Sequence, residues 1–216
     1  MNILSLFVVI PALMLLGLWI ARNLNQVRGV MVVGSTLLLG LSAWLTWDFM
    51  QLRAAGNTDA MVYTDSIVWF EPLNIAYSVG VDGISVVMLL LSSIIVFTGT
   101  FASWQLKPMT KEYFLWFTLL STGVYGFFIC TDLFTMFMFY EVALIPMYLL
   151  IGVWGSGNKE YAAMKLTLML MGGSALLIIG ILGIYFFSGA TTMNVNEIAA
   201  MNNIPGEVQN VLFPFI

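Results

Sequence analysis

Long apolar runs separated by short polar segments make up most of the chain. Six runs are long enough to cross a hydrocarbon layer of ~30 Å as helices that rise ~1.5 Å per residue. They are residues 3–20, 29–47, 84–104, 113–130, 133–154 and 161–187. A seventh apolar stretch, residues 211–216, is too short to cross. The pattern predicts an all-α polytopic membrane protein with six transmembrane helices and the start of a seventh.

The composition agrees with a membrane protein. Hydrophobic residues make up 61% of the 216 residues and charged residues only 8%, and the mean hydropathy is +0.98. A soluble domain has roughly a quarter of its residues charged, so the lipid bilayer is the expected partner. The seven lysines and arginines are scattered and the net charge is −4. Because no basic patch results, we exclude nucleic acid as a partner.

The residues that usually hold metals and redox groups are scarce. Cys130 is the single cysteine and the sequence contains no histidine. An internal disulfide, a zinc site, a histidine-ligated haem and a histidine base are therefore excluded within this chain. We expect neither a cofactor nor a metal to be bound by it.

The basic residues predict an orientation. Five of the seven fall in alternate loops, those after the first, third and fifth runs: Arg22 and Arg28, Lys107 and Lys111, and Lys159. Arg53 is the one basic residue in the other loops, and Lys165 lies within the sixth run. The other loops are mainly acidic. Since cytoplasmic loops hold the excess of lysine and arginine, this pattern predicts that the N-terminus lies outside and that residues 155–160 lie inside.

One long connection, residues 48–83, joins the second and third runs. Its second half contains two short apolar segments, residues 67–70 and 75–79, on either side of the turn-forming sequence Glu-Pro-Leu-Asn at 71–74. This arrangement favours a small hairpin on the outer surface. An irregular loop with Trp69 and Phe70 at the membrane interface fits the same residues.

Glu141 is a carboxylate near the middle of the fifth run. Intramembrane acids are costly to insert and mostly mark ion or proton paths. Five residues later, Pro146 has no N–H to donate to the carbonyl of Val142, which should loosen the helix beside the carboxylate. Glu141 is therefore the first candidate for a proton relay. The alternative is a protonated acid that bonds a neighbouring helix and serves packing alone.

Lys165 is the second intramembrane charge, on the sixth run. The fifth and sixth runs are joined by a short turn, so their helices must lie side by side. Counting along the helices, Glu141 lies ~20 Å and Lys165 ~10 Å from the cytoplasmic side, close enough to pair directly or through water. Making or breaking such a pair would shift the proton affinity of both groups. Alternatively, Lys165 extends its ammonium to the interface.

Hydroxyl groups near these charges are candidates to line a wet path, although in membrane helices they more often bond their own backbone. The candidates are Ser121, Thr122, Tyr125 and Tyr140.

Three segments carry a resemblance to a known family: GVDGIS at 80–85, FYEVALIPMYLLIGVWG at 139–155 and YAAMKLTLMLMGGS at 161–174. Together they resemble the antiporter-like proton-channel subunits of respiratory complex I, most of all the subunit M type of bacterial NADH:quinone oxidoreductase, the counterpart of mitochondrial subunit 4. The resemblance runs from the first helix to the last residue. It extends in weaker form to Mrp-type sodium/proton antiporters and membrane-bound hydrogenases.

The resemblance implies a bundle of about fourteen helices with two inverted repeats. Residues 1–112 would form an N-terminal three-helix membrane region with the outer loop or hairpin at 48–83, and residues 113–216 the start of the first repeat. The family's essential glutamate on the fifth helix matches Glu141, and Lys165 matches a polar or basic position on the sixth. Further lysines and a histidine-containing loop of the family lie beyond this sequence, which we interpret as the N-terminal portion of such a subunit.

The implied function is proton translocation by a membrane-arm subunit of complex I, coupled to quinone reduction elsewhere. The chain would be a non-redox subunit of a translocase, with NADH, flavin, iron–sulfur clusters and quinone bound by partner subunits and with other membrane-arm subunits as neighbours. A bacterial inner membrane is favoured over a mitochondrial one. The alternatives are an Mrp-type cation/proton antiporter subunit and a purely structural membrane scaffold.

Overall fold

The computed structural model describes residues 2–56, 58–71, 75–106, 109–188 and 192–201. The predicted seventh apolar stretch, 211–216, lies outside these residues. The described elements follow in this order: a single 3-10 turn at Ile3–Ser5, α1 Leu6–Ile20, α2 Leu24–Ala54, β1 Val62–Phe70, β2 Ile75–Val81, α3 Gly83–Ala102, α4 Thr110–Ile129, α5 Leu133–Trp154, α6 Lys159–Ser188 and α7 Val195–Met201.

Each of the six predicted runs forms a helix, and the bounds of α5 agree with the prediction. Within the described residues, five helices are long and apolar enough to cross a membrane: α1 with its preceding 3-10 turn, α2, α3, α5 and α6. The sixth, α4, is not among them. Its first turn carries Lys111 and Glu112, and it buries a row of hydroxyl groups at Thr118, Ser121, Thr122 and Tyr125. A crossing by α4 therefore remains a prediction.

The helices pack around α4, which contacts α1, α2, α3 and α5, while α6 packs on α5. The core between them is built from fully buried side chains such as Phe7, Leu38, Leu89, Phe114 and Tyr125. Large apolar side chains also cover the outer faces: Leu13, Val33 and Ile95 are each more than half exposed. Apolar residues on both faces are what a helix between a protein core and lipid requires.

Basic side chains cluster at one end of the bundle, hereafter the basic end. They donate hydrogen bonds to backbone carbonyls at or just past the carboxyl ends of α1, α3 and α5. The bonds run from Lys111 Nζ to the carbonyls of Trp19 and Ala21 (3.0 and 2.7 Å), from Arg28 Nη2 to that of Trp104 (2.7 Å) and from Lys159 Nζ to that of Val153 (2.6 Å). A cation there complements the unsatisfied carbonyls and the helix dipole.

The opposite end, hereafter the hairpin end, carries the two strands. β1 and β2 pair antiparallel, from Phe70 opposite Ile75 to Val62 opposite Val81. The predicted segments thus pair as a hairpin and not as an irregular loop, although residues 72–74 of the turn lie outside the described residues. The place of the hairpin on the outer surface stays a prediction. β2 is mostly buried and β1 mostly exposed. Acidic residues lie at this end, where Tyr63 Oη donates to the Asp48 carboxylate and Asp82 caps α3.

Candidate functional site: Glu141 and its surroundings

Glu141 lies on α5, nine residues after the capping residue Asp132, which is ~13 Å of helix. The residue is half-buried. Its Oε1 atom is fully buried and has no hydrogen-bond partner in the described part of the chain. A buried carboxylate oxygen without a donor is costly, because buried polar groups in proteins are nearly always hydrogen-bonded. Oε1 of Glu141 is therefore an open acceptor on a membrane helix.

The first turn of α5 is anchored to the hairpin by Asp132, which is 1% exposed. One of its carboxylate oxygens accepts from the backbone N–H of Thr135 at 2.9 Å and the other from the N–H of Ala76 on β2 at 3.4 Å. Thr135 Oγ1 in turn donates to the Ala76 carbonyl at 2.9 Å. These bonds satisfy donors that a helix start leaves open. They fix the level of Glu141 relative to the hairpin.

Cys130 directly follows α4, and its backbone forms an isolated β-bridge with Val79 of β2. Burial, assisted by the nearby charge of Asp132, raises the pKa of the Cys130 thiol to about 12. The thiol is accordingly a structural, protonated group and takes no part in the relay chemistry considered for Glu141.

Two glycines of α4 set the distance to α5 beside Glu141. A Cβ at Gly123 would lie 2.8 Å from the Cβ of Ala143 and 2.8 Å from the carbonyl oxygen of Phe139, and one at Gly126 would overlap the Phe139 ring. Phe139 and Ala143 are one helical turn apart, on the face of α5 that meets α4. Glu141, between them in sequence, points to another face. In the sequence alone, these two glycines carry no signal that distinguishes them from other glycines of membrane helices.

The side of α5 that carries Glu141 meets α6. A Cβ at Gly152 would lie 3.6 Å from that of Ala163. Glu141 lies eleven residues before Gly152 on α5. Because α6 runs antiparallel to α5, the residue at the same level on α6 lies eleven residues after Ala163, which is Ser174. Ser174 is buried and its Oγ donates to the Met171 carbonyl at 3.1 Å. The residue level with Glu141 is therefore Ser174, a position that counting outward from the 155–158 turn would have found.

Lys165 lies on α6 but nearer the basic end. Nine residues separate it from Ser174, ~13 Å along the axis. Its side chain is exposed and its Nζ lies 5.8 Å from the centre of the Tyr161 ring, one turn closer to the basic end. A lysine that extends to the interface points in this direction. No ion pair joins Lys165 to Glu141 among the described residues, so the relay through both stays a prediction.

The hydroxyl candidates mostly bond their own helix, as the alternative interpretation had it. Ser121 and Thr122 donate to the carbonyls of Phe117 and Thr118, at 2.8 and 2.9 Å. Tyr125 instead donates across to Ser93 of α3 at 3.1 Å. Tyr140 is half-buried on α5. Within the described residues, no cluster of three acidic, cysteine or histidine side chains could hold a metal ion.

Comparison with known proteins gives a consistent relationship. The family model described as "NADH:quinone oxidoreductase/Mrp antiporter, TM" matches residues 130–216. NADH-quinone oxidoreductase subunit M of Rickettsia conorii is 26% identical over 97% of this chain and 42% of its own length. NAD(P)H-quinone oxidoreductase chain 4 2 of Thermosynechococcus vestitus is 29% identical over 84% of this chain and 33% of its own length.

A solved structure has the same fold. A chain in respiratory complex I from Thermus thermophilus with bound NADH superposes with a TM-score of 0.82 and 21% identity, over 98% of this chain and 42% of that chain. At this identity the likeness concerns the fold alone. This chain spans between a third and a little over two fifths of the length of these proteins. By its matched segment and its relatives, this chain is similar to a group of membrane subunits that includes subunit M and chain 4 of the quinone oxidoreductases.

Proposed function

We propose that this chain is part of a proton-translocating membrane-arm subunit of an NADH:quinone oxidoreductase, and that Glu141 is a proton-binding group of its relay. The observation that carries the proposal is the buried Oε1 of Glu141, which has no hydrogen-bond partner on a membrane helix. The names of the relatives, subunit M and chain 4, support the assignment to that enzyme.

The chemistry of the relay follows from the surroundings of Glu141. A carboxyl group can bind or release a proton, and arrival of a positive charge or of water at Oε1 would favour the ionised form. At the level of Glu141, α6 presents the buried Ser174. The preceding Gly172 and Gly173 are exposed, and an added Cβ at either would meet nothing within 4 Å.

Lys165 is the proposed positive partner. Its ammonium now lies over the Tyr161 ring, and a change of rotamer would move it toward the hairpin end. The ~13 Å axial offset from the level of Glu141 exceeds the reach of a lysine side chain, so the two groups would communicate through water. The relay then requires that Lys165 leave Tyr161 when Glu141 ionises.

The proposal includes a topology. The basic end would face the cytoplasm and the hairpin end the outside, since basic residues are retained on the cytoplasmic side. This gives six transmembrane helices with α4 among them, an N-terminus outside, and a place in a bundle of about fourteen helices in a bacterial inner membrane. Redox chemistry with NADH, flavin, iron–sulfur clusters and quinone would belong to partner subunits, with other membrane-arm subunits beside this one.

Replacing Glu141 in the assembled complex tests the relay. We expect Glu141→Gln to lower NADH-driven proton uptake by membrane vesicles at least tenfold, and Glu141→Asp to retain part of it, because only the aspartate can still ionise. Glu160→Gln is the matched control, since Glu160 is exposed at the start of α6. Normal uptake by a fully assembled Glu141→Gln complex would refute the proposal.

A second candidate is an Mrp-type cation/proton antiporter subunit, favoured by the description of the matched family, which covers both kinds of protein. The two differ in their partners and in the ion moved. Copurification with flavin and iron–sulfur subunits supports the oxidoreductase. A sodium-dependent pH gradient in vesicles, without NADH, supports the antiporter.

A further inference from the structure

An open groove of about 430 Å³ runs between α1 and α2. Its lining is almost entirely apolar and includes Ile10, Met14, Gly17, Gly29, Gly34 and Leu37. Of its three glycines, Gly29 leaves open space, since a Cβ there would meet nothing within 4 Å. At Gly34 the Met14 side chain already fills the position, with its Sδ 2.2 Å from where a Cβ would lie, and at Gly17 a Cβ would lie 3.3 Å from a Val30 methyl group. The open part of the groove therefore lies at Gly29, toward the basic end.

The length of the groove along the helix axes is close to the thickness of one membrane leaflet. From Gly29 to Leu37 is eight residues, ~12 Å of helix axis, against ~15 Å for half of a ~30 Å hydrocarbon core. Its rim faces outward, since Leu13, Val33 and Leu37 are 60, 61 and 56% exposed. Both helices are long and apolar enough to cross the membrane. This length matches one acyl chain in one leaflet.

The connection at the basic end of the groove carries a cation. Arg22 lies in the connection between α1 and α2 that closes the basic end, and its side chain is exposed. The other cations nearby are occupied, because Lys111 and Arg28 donate to backbone carbonyls. Gln26 uses its side-chain oxygen to accept from the backbone N–H of Arg22 at 3.0 Å, which leaves its amide N–H groups as donors. An acid, the exposed Glu112, lies in the first turn of α4.

We propose that this groove binds one anionic phospholipid, with an acyl chain between α1 and α2 and the phosphate at Arg22 and the Gln26 amide. The guanidinium matches a phosphate in charge and geometry. The apolar chain would fill the space that Gly29 leaves open and would bridge the two helices in the basic-end leaflet. The site is independent of the relay at Glu141.

The test is lipid retention by the assembled complex in nanodiscs of phosphatidylglycerol and phosphatidylcholine, followed by native mass spectrometry. The natural sequence is expected to retain one phosphatidylglycerol per chain. Gly29→Leu places a side chain in the groove and is expected to abolish retention of either lipid. Gly40→Leu is the matched control: it lies on α2 three residues beyond Leu37, also with nothing within 4 Å of its Cβ, and should retain the lipid.

Arg22→Gln tests the head group separately. It is expected to lower the preference for phosphatidylglycerol over phosphatidylcholine about fivefold, the effect of one cation near an anionic lipid. The exposed position makes this variant decisive even where Gly29→Leu fails to assemble. Unchanged retention in Gly29→Leu, an unchanged preference in Arg22→Gln, or loss of a protein subunit rather than a lipid from Gly29→Leu would each overturn the proposal.

Discussion

Gly123 on α4 and Ala143 on α5 lie so close that a Cβ on the glycine would approach the Cβ of Ala143 to 2.8 Å. Two of the three nearest atoms are backbone, the Phe139 carbonyl oxygen and the Ala143 nitrogen, so no rotamer change can relieve the contact. Because Gly123 has no side chain, α4 and α5 can pack this closely at the turn of α5 that contains Glu141.

Gly123→Ala is expected to push these helices apart and to destabilise the protein by about 1–3 kcal/mol, the usual effect of overpacking a filled core. Thermal unfolding of the solubilised complex measures it. Gly172→Ala, on α6 with nothing within 4 Å of the added Cβ, makes the same chemical change in open space. Equal melting temperatures for the two variants would show that α4 and α5 can adjust freely.

Asp132 should matter more than an ordinary helix cap, because it bonds Ala76 of the hairpin as well as Thr135 of its own helix. Loss of a cap costs about 1 kcal/mol, and an unsatisfied buried N–H adds about 1–3 kcal/mol. Asp132→Ala is thus expected to destabilise more than Asp82→Ala, which removes only the cap at Ser85.

Hydrogen exchange at the first turn of α5 resolves the two contributions of Asp132. Faster exchange at both Ala76 and Thr135 is expected in Asp132→Ala. Asp132→Asn keeps one oxygen acceptor and should protect Thr135 nearly as well as the natural residue, since asparagine is a good cap. If hydrogen exchange at Ala76 is the same in both variants as in the natural protein, Asp132 does not protect the hairpin.

The sequence predicts well which residues form the helices, and predicts poorly which residues of neighbouring helices they contact. The bounds of α5 follow from its apolar run between Asp132 and Gly155. Asp132 caps the start of the helix and Gly155 its end. α2 extends to Leu24–Ala54, well beyond its predicted 29–47, because an apolar window measures the hydrocarbon layer and not the helix, which continues with polar residues at both ends. The register that puts Glu141 level with Ser174 also follows from the sequence, once the short turn is known.

Other features depend on which faces meet in three dimensions. Gly123 and Gly126 look like any membrane glycines until α5 is placed against them. The exposure of Lys165 and its position over Tyr161 depend on rotamer, which spacing leaves open. The hydroxyls of Ser121 and Thr122 donate hydrogen bonds to carbonyls of α4. The sequence alone does not distinguish this arrangement from a row of hydroxyls that leads toward Glu141.

The thiol of Cys130 is expected to resist alkylation in the folded protein. With the pKa raised from 9.0 to about 12, the thiolate fraction at pH 8 falls about a thousandfold relative to an ordinary thiol. Maleimide labelling followed by peptide mass spectrometry should modify Cys130 only after denaturation. Ser66→Cys in a Cys130→Ala background, at an exposed position of β1, is the control that should label at once.

The same pKa shift predicts a pH dependence of stability. The folded protein holds the Cys130 proton to a higher pH than the unfolded chain, so this group's contribution is intact below about pH 9 and is lost as the pH rises from 9.0 toward about 12. Cys130→Ala should remove that part of the alkaline destabilisation. An identical alkaline profile for the variant would show that Cys130 ionises as an exposed thiol does.

Lys165 offers the sharpest choice between two roles, because its observed position favours the interface whereas the proposed relay needs it to move. If it serves the relay, Lys165→Gln should reduce NADH-driven proton uptake severalfold and shift its pH profile, and Lys165→Arg should keep much of the activity because the charge remains. Tyr161→Leu removes a ring contact worth about 0.5–1 kcal/mol and so should free the ammonium without lowering uptake. Lys159→Gln, which loses only the contact with the Val153 carbonyl, controls for the loss of a positive charge at this end. A Lys165→Gln complex with the uptake and pH profile of the natural protein would assign the lysine to the membrane interface and leave Glu141 to work with other donors.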